Sequence, residues 1–254
     1  MLALERRNLI LEKLQEEKRV VVSELSQIYR VSEETIRRDL DKLEAEGYAI
    51  KSYGGAVVNE NNSIDMPFNV RKKRNVTGKQ KIAELVAGMI QDGDQIMLDA
   101  STTAVFVAKA IKDKKRMTVI TNSIEIMIEL SDVSGWKIIS TGGTMKEGYL
   151  ALLGSQAEDA MNTYYADKAV VSCKALDMEK GIMDSQELFA HAKKVMMNSA
   201  RESILAVDHS KFDNTAFVRV GNIRNLTTIV TDVKPSGEWL EYFRRHNLKC
   251  CYPE

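Results

Sequence analysis

From residue 76 onward the chain alternates short apolar runs with helical periods, and this alternation leaves its second half few folds to choose from. The runs are Gln95-Ile-Met-Leu98, Met117-Thr-Val-Ile120, Lys137-Ile-Ile139, Lys168-Ala-Val-Val171, Ser203-Ile-Leu-Ala-Val207 and Thr228-Ile-Val230. Between most of them lie amphipathic stretches such as Ile82, Leu85, Val86, Met89 and Ile90, and residues 104–111. Strands that alternate with helices predict a parallel sheet covered on both faces, an α/β domain. There is no internal repeat and no low-complexity tract.

The first 58 residues have another rhythm. Leu9, Ile10, Leu11 and Leu14 stripe a charged helix, and the β-branched run Val20-Val21-Val22 follows it. A second helix starts near Ser23 and is expected to bury Leu25 and Ile28. Arg30-Val31-Ser32 reads as a turn, with Ser32 the N-cap of a third helix over 33–46. That helix turns Ile36, Leu40 and Leu43 inward at i, i+4, i+7, and Gly47 closes it. Residues 49–58 look like two strands hinged at Gly54-Gly55. Helix, helix–turn–helix and hairpin together predict a winged helix.

The organisation expected is therefore a winged helix-turn-helix over 1–58, a polar linker over 59–75 and a second domain over 76–254. A length of 254 residues allows one or two domains. Three cysteines, two of them adjacent at Cys250-Cys251, make no disulfide framework. No apolar run approaches the ~20 residues of a membrane helix, and the charged start (Glu5, Arg6, Arg7) does not fit a signal peptide. A cytoplasmic protein without a membrane partner is expected. Basic and acidic side chains balance at 36 each, which leaves nucleic acid open as a partner because local placement decides binding.

In a helix-turn-helix the second helix enters the major groove by its N-terminal residues, while the wing touches backbone or minor groove. The reading face would be Ser32, Glu34, Thr35, Arg37 and Arg38. Arginine pairs with guanine O6 and N7, and threonine meets a thymine methyl; whether the two arginines reach bases or phosphates stays open. Residues 1–58 hold 10 Lys/Arg against 11 Asp/Glu, a net of −1, so the domain is no general polycation and non-specific affinity should be modest and salt-dependent.

Residues 31–47 (Val-Ser-Glu-Glu-Thr-Ile-Arg-Arg-Asp-Leu-Asp-Lys-Leu-Glu-Ala-Glu-Gly), followed by Tyr53-Gly-Gly-Ala56, closely resemble the N-terminal signature of the DeoR family of bacterial sugar-responsive transcription regulators. The family usually has His-Gly-Gly-Ala in the wing; here Tyr53 takes that place, and its phenol is still able to donate to a phosphate.

In the second domain the strands end in polar or glycine-bearing segments: 99–103 (Asp-Ala-Ser-Thr-Thr), 121–123 (Thr-Asn-Ser), 141–143 (Thr-Gly-Gly), 172–174 (Ser-Cys-Lys) and 208–211 (Asp-His-Ser-Lys). Open α/β sheets bind ligands beyond the carboxyl ends of their strands. Ser101, Thr102 and Thr103 precede a helix, where free N–H groups favour an anion, although Ser101 or Thr102 would also serve as a plain cap. Lys174 and Lys211 would add charge to a phosphate, and Asp99 and Asp208 would accept from sugar hydroxyls or fix their loops.

The resemblance extends over nearly the whole chain. Residues 71–75, Lys79 and Ile82-Ala83 match the family's entry to its sensor domain; 99–103, 121–123 with Asn122, Gly142-Gly143, residues 208–212 and Thr231-Asp232 match later blocks. It implies a fold similar to ribose-5-phosphate isomerase, a phosphorylated sugar as effector, an operator in double-stranded DNA as partner, self-association as dimer or tetramer, and repression of a carbohydrate operon. The departures are Ala100-Ser101, where glycine is common, His209, where serine is common, and residues 173–177, which are less typical; all fall at the pocket. No cofactor and no metal is implied: His246 and Cys250 lack a second pair of ligands. Another class of function is a sugar-phosphate isomerase or deaminase with a regulatory head, drawing on Asp177, Asp184, Glu187 and Lys174.

Overall fold

The computed structural model describes residues 1–59 and 66–254, which form two units, Met1–Arg74 and Asn75–Glu254. In the first unit, α1 (Ala3–Glu17) buries Ile10, Leu11 and Leu14 and ends at Lys18 in the left-handed region. It leads into β1 (Arg19–Val21), α2 (Val22–Tyr29) and α3 (Glu33–Ala45). α3 begins at Ser32, whose side chain accepts from the Thr35 N–H, and buries Ile36, Leu40 and Leu43. At its end Tyr48 N donates to Leu43 O and Gly47 N to Glu44 O, with Gly47 at φ 78°, the paired closure that favours glycine.

β2 (Ala49–Ser52) and β3 (Gly55–Val58) form the wing, and β3 also pairs with β1, giving an antiparallel sheet in the order β1-β3-β2. Gly55 is demanded by that packing, since a Cβ there would lie 2.0 Å from the Val20 carbonyl oxygen. One expectation fails: Ile28 is 54% exposed. The inward line of α2 runs Val22, Leu25, Tyr29, spaced i, i+3, i+7, and Tyr29 takes the place against the core that spacing alone offered to Ile28.

Of the stretch expected to be linker, residues 60–65 lie outside the described residues, and a helix follows Pro67, α4 (Phe68–Lys73). It sends Val70 into the same core as Ile10 and Leu14, and Lys73 Nζ pairs with Glu12 of α1 at 2.9 Å.

The second unit contains α5 (Val76–Ala87), β4 (Gln95–Leu98), α6 (Thr102–Ala110), β5 (Thr118–Thr121), α7 (Ile124–Glu129), β6 (Lys137–Ser140), β7 (Thr144–Lys146), β8 (Ala151–Leu153) and α8 (Ser155–Asn162). It continues with β9 (Ala166–Val171), β10 (Ala175–Asp177), β11 (Gly181–Asp184), α9 (Glu187–Asn198), β12 (Ala200–Ala206), β13 (Val218–Gly221), β14 (Thr228–Val230), α10 (Gly237–Arg245) and β15 (Lys249–Cys251). Among the described residues seven strands make one sheet in the order β15-β14-β12-β9-β4-β5-β6, every pairing parallel.

Central strands of such a sheet are buried on both faces, which is why they read as unbroken apolar runs. Met97, Ala169, Val171 and Leu205 join the core with Met161 of α8, Met196 of α9 and Trp239 of α10. Their neighbours Ile96, Leu98, Val170 and Ile204 are buried on the opposite face. β10, β11 and β13 form a separate antiparallel sheet, and β7 pairs with β8 as a hairpin. The winged helix and the parallel α/β sheet are thus the folds expected from the sequence. Among the described residues no helix is long and apolar enough to cross a membrane.

Candidate functional site

Two places hold the residues singled out above. In the first unit, the N-terminal turn of α3 presents Ser32, Glu34, Thr35, Arg37 and Arg38 on the surface. The Ser32 and Thr35 hydroxyls lie 2.9 Å apart, so the cap is doubled. Arg37 pairs with Glu33 at 2.6 Å and Arg38 with Glu34 at 3.4 Å, both one helical turn apart and open to solvent. Exposed pairs of this kind are worth a few tenths of a kcal/mol, so exchanging them for phosphate oxygens or base edges costs little. Tyr53 stands fully exposed at the tip of the wing, beside Gly54 at φ 77°.

Behind this surface lies an ion pair that the sequence reading did not weigh. Arg6 Nε of α1 donates to Asp39 Oδ2 of α3 at 2.6 Å, and both side chains are buried. Asp39 occupies the inward line between Ile36 and Leu43, and a carboxylate at that phase is the signal that could have exposed the pair.

In the second unit the strand order reverses between β4 and β9: from β4 the chain moves to β5 and β6, then returns beside β4 and builds outward through β12, β14 and β15. At such a switch point two loops part and leave a crevice. Here the loops are 99–103 and 172–174. Asp99, 1% exposed, joins them: its carboxylate accepts from Ser101 N at 3.2 Å and Ser172 N at 3.0 Å. Lys193 of α9 reaches in with Nζ 3.7 Å from Asp99 and in direct contact with Asp184 of β11.

Burial pushes the Asp99 carboxyl above the usual range, opposed by Lys193 and by the bonds from Ser101 and Ser172. Burial also works against the charged Lys193, but Asp184 and Asp99 outweigh it and hold the ammonium above the ordinary lysine value. Lys193 follows Phe189 by four residues and precedes Met197 by four, all three buried. A lysine on a buried helical line was the available signal for this cluster.

Ser101 caps α6, accepting from Ala104 N at 3.1 Å, as the plainer reading of that loop anticipated. The buried Thr102 and Thr103 begin the helix, and their hydroxyls make no side-chain hydrogen bond among the described residues. Across the sheet, Thr121 Oγ1 donates to Leu98 O at 2.7 Å, Ser123 caps α7, and Asn122 Nδ2 donates to Leu152 O at 3.1 Å. Asp208 anchors its loop by accepting from Ser210 N at 3.0 Å. Cys173 lies where these loops meet: burial pushes its thiol up to about 12, with Lys193, Asp184, Lys211 and Asp208 all close enough to act on it. So buried a thiol reads as packing.

One predicted group stands apart from the β4–β9 crevice. Gly142 and Gly143 follow β6, two strands (~10 Å at ~4.8 Å per strand) from β4. Gly143 has a packing reason of its own, because at φ 105° a Cβ would lie 2.7 Å from Leu153 O. Lys79 is buried on α5, next to Gly78, where a Cβ would strike Asp232 and Asn75 at 2.4 Å. Asp232, two residues past β14, accepts from Asn75 Nδ2 at 2.9 Å and from His209 N at 2.7 Å, and His209 Nδ1 lies 2.9 Å from it. Lys174 and Lys211 belong to the loops after β9 and β12. Among the described residues no group of three or more His, Cys, Asp or Glu is arranged to hold a metal ion.

Two family models match this chain: a DeoR-like helix-turn-helix domain over residues 6–62 and a DeoR C-terminal sensor domain over residues 74–233. An uncharacterized HTH-type transcriptional regulator, YulB, of Bacillus subtilis is 41% identical over 232 residues, covering 91% of this chain and 90% of that protein. The glycerol-3-phosphate regulon repressor of Escherichia coli is 26% identical over 245 residues, with 96% and 97% covered. Among solved structures, ribose-5-phosphate isomerase A of Methanocaldococcus jannaschii aligns over 54% of this chain and 55% of its own, at 17% identity and a TM-score of 0.41.

Proposed function

Because the chain belongs to the DeoR family of bacterial transcriptional regulators, we propose that it represses a carbohydrate-catabolic operon and that a phosphorylated sugar, bound at the strand ends of its sensor domain, controls it. It is a regulator and not an enzyme, as its relatives are. Two of the three carboxylates that isomerase chemistry would draw on have structural duties: Asp177 accepts from the amides of Glu179 and Lys180, and Asp184 holds Lys193.

One observation carries the effector reading. The start of α6 offers the Thr102 and Thr103 hydroxyls and the positive end of a nine-residue helix beside the switch-point crevice. An anion is the natural guest of that combination. Lys79, Lys174 and Lys211 are the cations we assign to it, with Asp99, Ser101, Asn122 and Asp208 shaping the rest; Gly142 and Gly143, two strands from β4, would bound the far side of the ligand. The regulon in the Escherichia coli relative's name is that of a phosphate ester, glycerol 3-phosphate, which favours the same chemistry.

In the first unit Ser32, Glu34, Thr35, Arg37, Arg38 and Tyr53 contact the operator. Two heads on two half-sites, one helical turn or a multiple apart, call for a homo-oligomer. The effector binds one sensor conformation better than the other and changes operator affinity by the coupling energy, typically ~1–3 kcal/mol.

The test is thermal unfolding of the full chain against sugar phosphates, each paired with its unphosphorylated sugar. A ligand at 100 times its Kd adds ~2.7 kcal/mol to the unit that binds it. We expect a rise in Tm of several degrees with one ester, absent with the free sugar and lost in Lys211→Ala and Thr102→Ala. A flat response across hexose, pentose and triose phosphates would remove the reading.

A further inference from the structure

Among the described residues two buried side-chain polar atoms have no hydrogen-bond partner, Gln15 Nε2 and Asn122 Oδ1. Asn122 is the one that stands among the strand ends. Its amide orientation is fixed by its neighbour: Nδ2 donates to the Leu152 carbonyl, and the flipped amide would set two acceptors against each other. Oδ1 therefore occupies the branch turned away from Leu152.

The loop that carries it is tightly held. Leu152 N donates to Asn122 O at 2.8 Å, Ile124 N to Leu150 O at 2.9 Å, and Ser123 bridges Ala151, so β8 is laced to residues 122–124. On the other side Thr121 binds the end of β4 through Leu98 O. Asn122 thus stands one strand spacing, ~4.8 Å, from the loop that starts α6. A buried acceptor left without a donor costs ~1–3 kcal/mol, and the bond to Leu152 uses only the NH2 half of this carboxamide.

We infer that Asn122 Oδ1 is the atom that reads a hydroxyl of the effector. This rests on the sugar-phosphate reading and narrows it. The phosphate goes to the start of α6, and the remainder of the ligand must present an O–H or N–H donor about one strand away. An ionised carboxylate only accepts, and an inorganic phosphate held at the start of α6 ends short of Asn122, so inorganic phosphate and a phosphorylated acid without a hydroxyl leave Oδ1 unmet, whereas a polyhydroxylated sugar phosphate satisfies it. Oδ1 is shielded from solvent, so the donor reaches it only as residues 121–123 and the β7–β8 hairpin adjust. The contact that selects the ligand then also favours the adjusted conformer, which is the differential affinity an effector needs.

The experiment is titration calorimetry on the full chain with inorganic phosphate, 2-phosphoglycolate (which has no hydroxyl), glucose 6-phosphate, glucosamine 6-phosphate, ribose 5-phosphate and glycerol 3-phosphate. The best-binding ester of the panel should weaken on the order of 10–100-fold in Asn122→Ala, with inorganic phosphate changed less than about 2-fold. A second measurement avoids the variant: deoxy analogues of that ester are titrated into the unaltered protein. One analogue should lose as much as Asn122→Ala does, and should lose nothing further when the two are combined.

Equal weakening of ester and inorganic phosphate would make Asn122 a residue that only holds its loop and would overturn the inference. So would an unchanged ester affinity, or tighter binding of 2-phosphoglycolate than of any sugar phosphate. If no ester and no phosphate binds while operator binding is intact, the phosphate reading itself falls and takes this inference with it.

Discussion

The two faces of α3 carry the same chemistry at different depths. Outward, Arg37 and Arg38 pair with Glu33 and Glu34, with the arginine side chains 52% and 76% exposed. Inward, Arg6 and Asp39 make a pair of the same kind at 9% and 6%. Water and ions compete for the outer pairs, so they hold weakly and release readily. The inner pair has no such competitor, and removing either partner strands the other as a buried charge. The helix is anchored by the pair that cannot exchange and presents the pairs that can. The sensor unit divides its groups by partner and not by depth: Lys193, Asp184 and Asp99 are bonded to one another, while the equally buried Thr102 and Thr103 hydroxyls make no side-chain hydrogen bond among the described residues.

Breaking the inner pair should give the largest effect. Asp39→Ala should destabilise the first unit by ~3–5 kcal/mol, the usual result of leaving one buried partner unpaired. Both tryptophans, Trp136 and Trp239, lie in the second unit, so the two units can be followed separately in the intact chain. Far-ultraviolet dichroism, which sees every helix, should acquire an early transition on heating, while the tryptophan transition stays in place. A loss under about 1 kcal/mol would mean that water reaches the pair and that the contrast between the faces is false.

The outer pairs should behave in the opposite way. Arg38→Ala should move stability by no more than about 0.5 kcal/mol. Affinity for an operator selected from random duplexes should fall by ~1–3 kcal/mol if the guanidinium meets a guanine, with specificity relaxed at that base. If it meets a phosphate, binding should weaken uniformly across sequences and the salt dependence should drop by about one released counterion. A destabilised fold with no change in DNA affinity would transfer the anchoring role to the outer face.

The same contrast between burial and exposure governs what could be read from the sequence. The centre of the parallel sheet was legible because strands such as Ile96-Met97-Leu98 are buried on both faces, and burial writes an unbroken apolar run. β10 (Ala-Leu-Asp), β13 (Val-Arg-Val-Gly) and the β7–β8 hairpin were not, because three or four residues of mixed polarity carry no period and owe their state to distant partners. Ile28 shows the limit of helical spacing: Ile28 and Tyr29 both fit an inward position after Leu25, and only tertiary packing chose Tyr29. For the site, the polar loops at strand ends were visible, since polar residues after an apolar run stand out. Lys193 and Asp39 were hidden among charged neighbours, and only their phase against Phe189 and Ile36 set them apart. The orphan acceptor of Asn122 had no sequence signal, because it depends on which way one amide faces.

The smallest effect belongs to a pair with no burial behind it. On α10, Glu241 bonds Arg244 at 2.9 Å and Arg245 at 2.8 Å, one turn ahead of both, the favourable order on a helix. Hydrogen bonds from Arg244 and Arg245 lower the Glu241 carboxyl to about 2. In the unfolded chain a glutamate titrates near ~4.3. A value depressed by folding contributes stability that is complete above the unfolded value and fades as pH falls from there toward the folded one. The Tm gap between the unaltered protein and Glu241→Gln should therefore be small at pH 7 and should close as pH falls from about 4 toward 2. It should also narrow in 1 M salt, since screening reaches exposed charges first. If the gap instead held in salt and rivalled that of Asp39→Ala, depth would not be what separates the strong pairs of this molecule from the weak ones.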